Sequence, residues 1–363
     1  LYSVAMVVVQ GQSSAIVGNR LYFLGSAISK QASENIFLDV TFSTLNTSNP
    51  PWSQTNSRVP TNSAYASACV GGPNNNNIYL LEHLNTTSGF SNYTIVYAFD
   101  TVNKSWSIPN ISGIIPVRFF GSSSDGELLN DIYIFDTLKL TWTQGSNVNA
   151  PTPRADFTAT LLNNGLIIYI GGDVDMFKIP IYNTNNDSWS TMIADGNELS
   201  PRSRFTAVLS PDGHVIIYGG TGPTDQTELL ASLDTTVNPY IWSAKPMIGN
   251  NVPPPLVLHS AAIVDNFMII AFGSRGINYD NSTFDINNLN TQLYLLDTRT
   301  YMWVTDTLQN FNSNISSNNT HTLSAIVIVA ISIASIVLLE IVGLIIYLLY
   351  KRSTPSKFPN MQV

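Results

Sequence analysis

The chain has 363 residues, 44% of them hydrophobic and 11% charged, which supplies a large core and excludes a disordered polyelectrolyte. A net charge of -8 excludes a phosphate-binding surface of clustered Lys and Arg, so no nucleic-acid partner is expected. Cys69 is the single cysteine, which rules out an intrachain disulfide and a cysteine-based zinc cage; its setting, "ASACV", reads as a buried strand.

Residues 1–11, "LYSVAMVVVQG", start without Met and read as the remnant of a signal-peptide apolar region, with a first strand as the alternative. From residue 12 a pattern recurs. Trp52, Trp106, Trp142, Trp189 and Trp303 each follow an Asp or Asn (Asn46, Asp100, Asp136, Asn183, Asp297) with five residues between, and Trp242 follows Asp234 with seven. Upstream of most of these, an apolar run closes on glycine: Gly25 in LYFLGS, Gly121 in FFGS, Gly171 and Gly172 in IIYIGG, Gly219 and Gly220 in VIIYGG, Gly273 in IIAFGS. The second unit departs, with Glu82 of IYLLEH in that place; its Gly71-Gly72 pair lies earlier, in a turn ahead of that strand. A further run and turn come first, as in FTATLLNNG and FTAVLSPDG.

Each unit therefore reads strand, turn, strand ending in Gly, loop, strand ending in Asp or Asn, turn, strand carrying Trp. Four short strands per period of about 50 residues predict propeller blades. Glycine supplies a positive φ where the chain leaves the blade, and Asp or Asn hydrogen-bonds its own turn. Tryptophan buries a large apolar surface between neighbouring twisted sheets. All three roles are structural.

These units resemble kelch repeats over residues 12–306, on the Gly pair, the Tyr three before Asp (Tyr97, Tyr133, Tyr294) and the Asp-to-Trp interval. The resemblance implies an all-β, six-bladed kelch-type β-propeller. From Trp106 to Gly121 the third unit is too short by about one strand and one turn, missing between Arg118 and Phe119. In kelch folds the absent strand is normally innermost, so an incomplete third blade with exposed strand edges is expected.

Residues 307–322 form an Asn/Ser-rich stalk, and residues 323–350 run apolar with one charged residue, Glu340. That length crosses a hydrocarbon layer of about 30 Å as a single transmembrane α-helix, placing the lipid bilayer among the contacts of residues 323–350. Glu340 costs about 2.5 to 3.5 kcal/mol there, which the surrounding Leu, Ile and Val offset. Lys351, Arg352 and Lys357 follow the run, while "NFNSNISSNNTHT" before it carries neither Lys nor Arg. The positive-inside rule then makes residues 351–363 a cytoplasmic tail and puts residues 1–322 outside. Glycosylation triplets begin at Asn46, Asn85, Asn92, Asn103, Asn110, Asn186, Asn281, Asn314 and Asn318, all before the apolar run.

The kelch resemblance extends to galactose oxidase, whose copper-radical site needs two imidazoles, two tyrosines and a cysteine bonded to one of them. His83 shares the second unit with Cys69, but His214, His259 and His321 supply no evident second imidazole. Asp173 and Asp175 in "GGDVD" could take a cation, although such loops are more often solvated. No phosphate loop, nucleophile elbow or zinc helix occurs, so no catalytic residue, cofactor or metal is expected. Instead a Pro and an Arg precede the first strand in several units, giving Arg118, Arg154, Arg202 and Arg204. Around one rim their planar forks would grip carboxylates or glycans; the alternative is that each pairs with a neighbouring blade's Asp.

The expectation is a type I single-pass protein of the cell or secretory-pathway membrane whose extracellular propeller binds a protein or glycan. A copper-radical carbohydrate oxidase and a structural surface protein without a dedicated ligand are the alternatives.

Overall fold

A computed structural model describes residues 13–24, 34–40, 45–58, 66–84, 93–116, 128–172, 175–222, 228–275 and 289–307. The expected leader remnant, the stalk, the apolar span 323–350 and the tail lie outside these residues. Among the described residues, no helix is long and apolar enough to cross a membrane.

Six small antiparallel sheets follow one another. Blade one is β1 (Ser13–Val17), β2 (Arg20–Leu24), β3 (Glu34–Asp39) and β4 (Trp52–Arg58); blade two is β5 (Ser67–Gly71), β6 (Asn77–Leu84), β7 (Tyr93–Asp100) and β8 (Ser105–Ser107). Blade three contains β9 (Ser112–Gly113), β10 (Tyr133–Asp136) and β11 (Thr141–Gln144), in the order β10-β11-β9. Blade four is β12 (Phe157–Leu161), β13 (Leu166–Gly171), β14 (Lys178–Asn183) and β15 (Ser188–Ile193). Blade five is β16 (Asp195–Gly196), β17 (Thr206–Leu209), β18 (His214–Tyr218), β19 (Leu230–Asp234) and β20 (Ile241–Lys245). Blade six is β21 (Ile248–Gly249), β23 (Ser260–Val264), β24 (Phe267–Ala271), β26 (Leu293–Asp297) and β27 (Met302–Val304), beside a ribbon of β22 (Leu256–Val257) and β25 (Ser274–Arg275).

The middle strands are buried along almost their whole length, as in β13, β24 and β26, because neighbouring blades cover both faces. They therefore read as continuous apolar runs and not as alternating ones. Each tryptophan sits on the strand that follows the turn-forming residue, outermost or covered only by a two-residue parallel strand, and is wedged against the preceding blade. Trp242 packs with Ile168, Ile170, Ile179 and Ile181 of blade four, and Trp303 with Val208, Ile216 and Tyr218 of blade five. Trp142 joins Tyr79, Leu81 and Val96 of blade two. Trp106 packs against a cluster that includes Tyr22 and Leu24 of blade one, while Ile132 of blade three joins Trp189. Trp52 closes the circle: its ring centroid lies 5.6 Å from that of Phe272, and its cluster holds Ile269 and Leu295 of blade six. The ends are clasped by Asn46 bridging to Asp306 and by the Thr47 amide donating to the Thr305 carbonyl at 2.8 Å.

The turn role of Asp and Asn holds. Asp100 Oδ1 accepts from the amides of Val102 and Asn103, Asp136 Oδ1 from those of Leu138 and Lys139, and Asn183, Asp234 and Asp297 from the amide two residues on. These amides hold the carboxyls of Asp100 and Asp136 below the usual carboxylate range.

Two landmarks are corrected. In blade one Leu38 pairs with Trp52, as Phe99 does with Trp106 and Phe135 with Trp142, so Asp39 and not Asn46 ends the third strand. Asn46 still caps a turn through the Ser48 amide, 2.8 Å away, but its interval to Trp52 is a coincidence of spacing. Glu82 does hold the place of Gly171 and Gly219, five residues after the partner of the turn-forming acid, although β6 runs on to Leu84. In blade six, Phe272 with φ 62 occupies the place of Gly171 and Gly219, and Gly273 is the counterpart of Gly172 and Gly220. The Gly71-Gly72 pair does end β5 and begin its turn.

The shortened inner part of blade three falls on residues 117–127, outside the described residues, as do Gly25 and Gly121. Inner strands β12, β17, β23, β1 and β5 follow one another as neighbours. β5 and β12 flank the place of blade three.

Candidate ligand-binding face

The two ends of the blades differ. At one end lie the β3–β4-type turns, four residues long in blades two, three, four and six, such as Thr101–Lys104 and Thr298–Tyr301. At the other end, where the Gly pairs lie, the second-to-third-strand connection varies from six residues in blade four (172–177) to eleven in blade five (219–229) and twenty-one in blade six (272–292). The spread is wider at the Gly-pair end than at the other, where the connection is six residues in blade five (235–240) and twelve in blade one (40–51), and long variable loops carry recognition in propellers.

The main chain fixes this end. The Gly172 amide donates to the Arg202 carbonyl at 3.1 Å and the Gly220 amide to the Leu256 carbonyl at 2.9 Å, tying each blade to the next. A Cβ on Gly171 would lie 2.7 Å from the Arg202 carbonyl oxygen, and one on Gly219 2.3 Å from that of Leu256. With φ of 80 and 70, both positions need glycine for conformation and for clearance.

The arginines do not form an open rim. Arg202 is fully buried: Nη1 donates to the carbonyl of Glu228 at 2.6 Å and of Gly219 at 3.4 Å, and Nη2 lies 3.9 Å from Glu228 Oε2. Burial pulls its guanidinium down to about 10, partly countered by Glu228. Arg154 occupies the same repeat position, also buried, with Nε and Nη2 donating at 3.3 Å to the Thr152 carbonyl and hydroxyl and with no partner for Nη1. Burial of both side chains removes them from the expected gripping role. Arg204 is part-exposed and pairs with Asp156 of blade four at 3.2 Å, the neighbouring-blade alternative. Arg118 lies outside the described residues.

His214 and His259, the histidines whose side chains are described, do not converge. His259 is buried at the Gly-pair end, with Nε2 2.7 Å from Thr206 Oγ1, and burial lowers it to about 3. His214 begins β18 at the opposite end, between Asp212 at 3.4 Å and Asp234 at 3.8 Å. Asp175 Oδ1 accepts the Phe177 amide at 2.9 Å, a turn contact, and Asp173 lies outside the described residues. Among the described residues no group of three or more His, Cys, Asp and Glu is placed to hold a metal. Cys69 packs with the cluster around Tyr79 and Trp142, and burial pushes its thiol up to about 12.

Four of the glycosylation candidates are described, and Asn46, Asn103, Asn110 and Asn186 are all exposed. Asn85, Asn92, Asn281, Asn314 and Asn318 lie outside the described residues.

One recurring device went unread in the sequence. Seven residues after Trp106, Trp142, Trp189 and Trp242 stand Gly113, Asn149, Gly196 and Gly249, all with positive φ. Gly113, Gly196 and Gly249 end two-residue strands that pair in parallel with the tryptophan strand of the next blade.

Closed ring, wedged tryptophans and Gly-pair links together define a kelch-type six-bladed β-propeller, a class that typically engages other proteins. Residues 119–334, more than half of the chain, match the model of the Attractin/LZTR1 beta-propeller, and the chain belongs to that family. Kelch domain-containing protein 3 of Rattus norvegicus is 28% identical over 141 residues, covering 31% of this chain and 36% of that protein. Acyl-CoA-binding domain-containing protein 5 of Arabidopsis thaliana is 23% identical over 208 residues, 51% of this chain and 32% of that protein. The chain thus spans about a third of the length of these curated relatives. The solved structure of YjhT superposes with a TM-score of 0.57 over 83% of this chain and 98% of its own, at 11% identity, a likeness of fold alone.

Proposed function

We propose that this is the extracellular, non-enzymatic binding propeller of a single-pass membrane protein, taking a protein or glycan ligand at the Gly-pair end. The observation that supports the binding face is the wider spread of connection length at that end, six to twenty-one residues in blades four to six, against four to twelve at the other. The apolar run 323–350, its basic C-terminal flank and the triplets before it support the membrane topology. The separation of His214 from His259 argues against a copper-radical oxidase.

Two measurements test this reading. With an epitope after Val363, the chain on intact cells should be labelled by an amine-reactive biotin while the epitope stays hidden until permeabilisation. An epitope accessible on intact cells, or release of the chain by alkaline carbonate, refutes the topology. Replacing residues 276–288 by a Gly-Ser segment of equal length should cut binding on protein and glycan arrays at least tenfold with unchanged thermal stability; unchanged binding refutes the face.

A further inference from the structure

Asn103 and Asn186 share one step of the repeat. Each stands three residues after the turn-forming residue of its blade, Asp100 or Asn183, and three before the tryptophan. Each is followed by a left-handed residue, Lys104 with φ 54 or Asp187 with φ 53, and then by a serine that opens the outermost strand. Asn103, Lys104 and Ser105 are exposed, as are Asn186 and Asp187; Asn103 Nδ2 donates to Asp100 Oδ2 at 2.8 Å within the turn, a bond that the one N–H left after modification can keep. Ser188 Oγ donates to Asn186 Oδ1 at 2.7 Å, which brings the two functional groups of the triplet together.

The other two described triplets are committed to packing. The Thr47 hydroxyl donates to the Thr305 carbonyl at 3.0 Å in the ring-closing clasp beside Asn46. In the Asn110 triplet, Ile111 packs on the Trp142 cluster and Ser112 pairs with Thr141.

We propose that Asn103 and Asn186 carry N-linked oligosaccharides on the short-turn end of blades two and four. The inference rests on the extracellular reading above. In the transfer, Asn Nδ2 bonds to C1 of a sugar carried on a lipid pyrophosphate. The C1–O bond breaks, the lipid pyrophosphate leaves, and the amide proton passes to a base of the transferase, with no oxidation or reduction. A sugar added during synthesis must be accommodated by the finished fold, and these outward turns accommodate it without moving a packed residue. Leu166 and Gly171 at the two ends of β13 stand about 16–17 Å apart, so sugar there leaves the Gly-pair end open.

Lys139 occupies the same step in blade three, followed by Leu140 with φ 54 and Thr141, and lacks only the asparagine. The test is to express the full chain behind a secretory leader, deglycosylate it with peptide-N-glycosidase in heavy-oxygen water, and map the labelled peptides. Asn103 and Asn186 should be labelled, and Lys139→Asn should add a third labelled turn. If both are unlabelled while Asn281, Asn314 or Asn318 carries label, the inference fails and the extracellular reading stands. If Lys139→Asn, labelled elsewhere, gains no label at position 139, the turn is not the determinant and the inference fails. No label at any asparagine refutes the extracellular reading itself.

Discussion

The amide of Leu258 donates to the carbonyl of Arg204 at 3.0 Å, and the amide of Arg204 donates in turn to the carbonyl of Asp156 at 3.2 Å. All three residues are left-handed, with φ 55, 58 and 56, and stand just ahead of the inner strands β23, β17 and β12. Successive blades are thus linked by main chain at a point where side chains of different kinds are tolerated, the Arg204–Asp156 ion pair adding to the link between blades four and five. This frees one residue per blade to be apolar, basic or acidic, and Leu258, Arg204 and Asp156 are the three outcomes. Side-chain identity matters instead where a residue is wedged between sheets or where backbone passes backbone.

Trp242 should be the costlier kind of wedge to remove. It is 1% exposed, and its indole N–H donates to the Met176 carbonyl of the preceding blade at 3.0 Å. Trp242→Ala leaves a cavity between blades four and five and a carbonyl without its donor, a loss of about 3–5 kcal/mol. Trp106, only partly buried and with no partner for its indole N–H, should cost less on truncation. Urea denaturation of the two variants side by side checks the order.

Gly249 tests the unread device. Its φ is 133, and a Cβ there would lie 2.0 Å from the Trp303 carbonyl oxygen, a backbone atom held in the sheet. Gly249→Ala must push β21 off β27 and should cost more than about 1 kcal/mol. Gly18 is the control, with φ 59 and nothing within 4 Å of its would-be Cβ, so Gly18→Asn should cost only a few tenths of a kcal/mol. Equal losses at the two sites would show that backbone conformation and not clearance governs Gly249.

Tryptophan and the turn-forming acids made the blades legible, because both act through their own side chains at fixed steps of the repeat. The left-handed turn residues were not legible: Lys104, Leu140, Asp187 and Tyr301 all adopt φ near 55 with no glycine to announce it. The steric frame of the turn imposes that conformation whatever the residue. Phe272, left-handed without being glycine, conceals the register of blade six for the same reason, and Asn149 in place of glycine interrupts the series seven residues after tryptophan. The burial of Arg154 and Arg202 is not legible, because a neighbouring proline reports where the main chain goes and says nothing of which way a side chain turns. In blade one, Asn46 mimicked the interval that Asp39 serves in space.

Arg154 and Arg202 hold equivalent positions with unequal partners, which sets up a paired comparison. Removing Arg202 leaves the Gly219 and Glu228 carbonyls without its donors in a buried setting. Arg154 reaches only Thr152 and leaves Nη1 buried without a partner, so an apolar side chain of similar length relieves a desolvated charge. Arg202→Met should therefore cost about 1–3 kcal/mol more than Arg154→Met. Matched thermal and urea midpoints for the two variants would show that the bonds of Arg202 contribute nothing net.

His259 makes the propeller acid-sensitive well above the range where carboxylates titrate. It is 4% exposed and neutral in the folded chain, with burial holding it at about 3 against an unfolded value of about 6.5. A depressed value means that the unfolded chain binds the proton first. Stability from this group is therefore complete above about pH 6.5 and falls as pH drops toward 3, by at most about 1.4 kcal/mol per pH unit. Phe157 and Phe205 hold the same repeat position in blades four and five, so His259→Phe suits the pocket while removing the titration and the 2.7 Å contact with Thr206. Between pH 7.5 and 5.0 the parent should lose about 2 kcal/mol relative to that variant, measured by urea denaturation at each pH. Asp100, Asp136 and Asp234, lowered by their turn bonds, titrate below this window and leave it to His259. Parallel stability curves for the two proteins would mean that the imidazole takes up its proton without leaving its place between the blades.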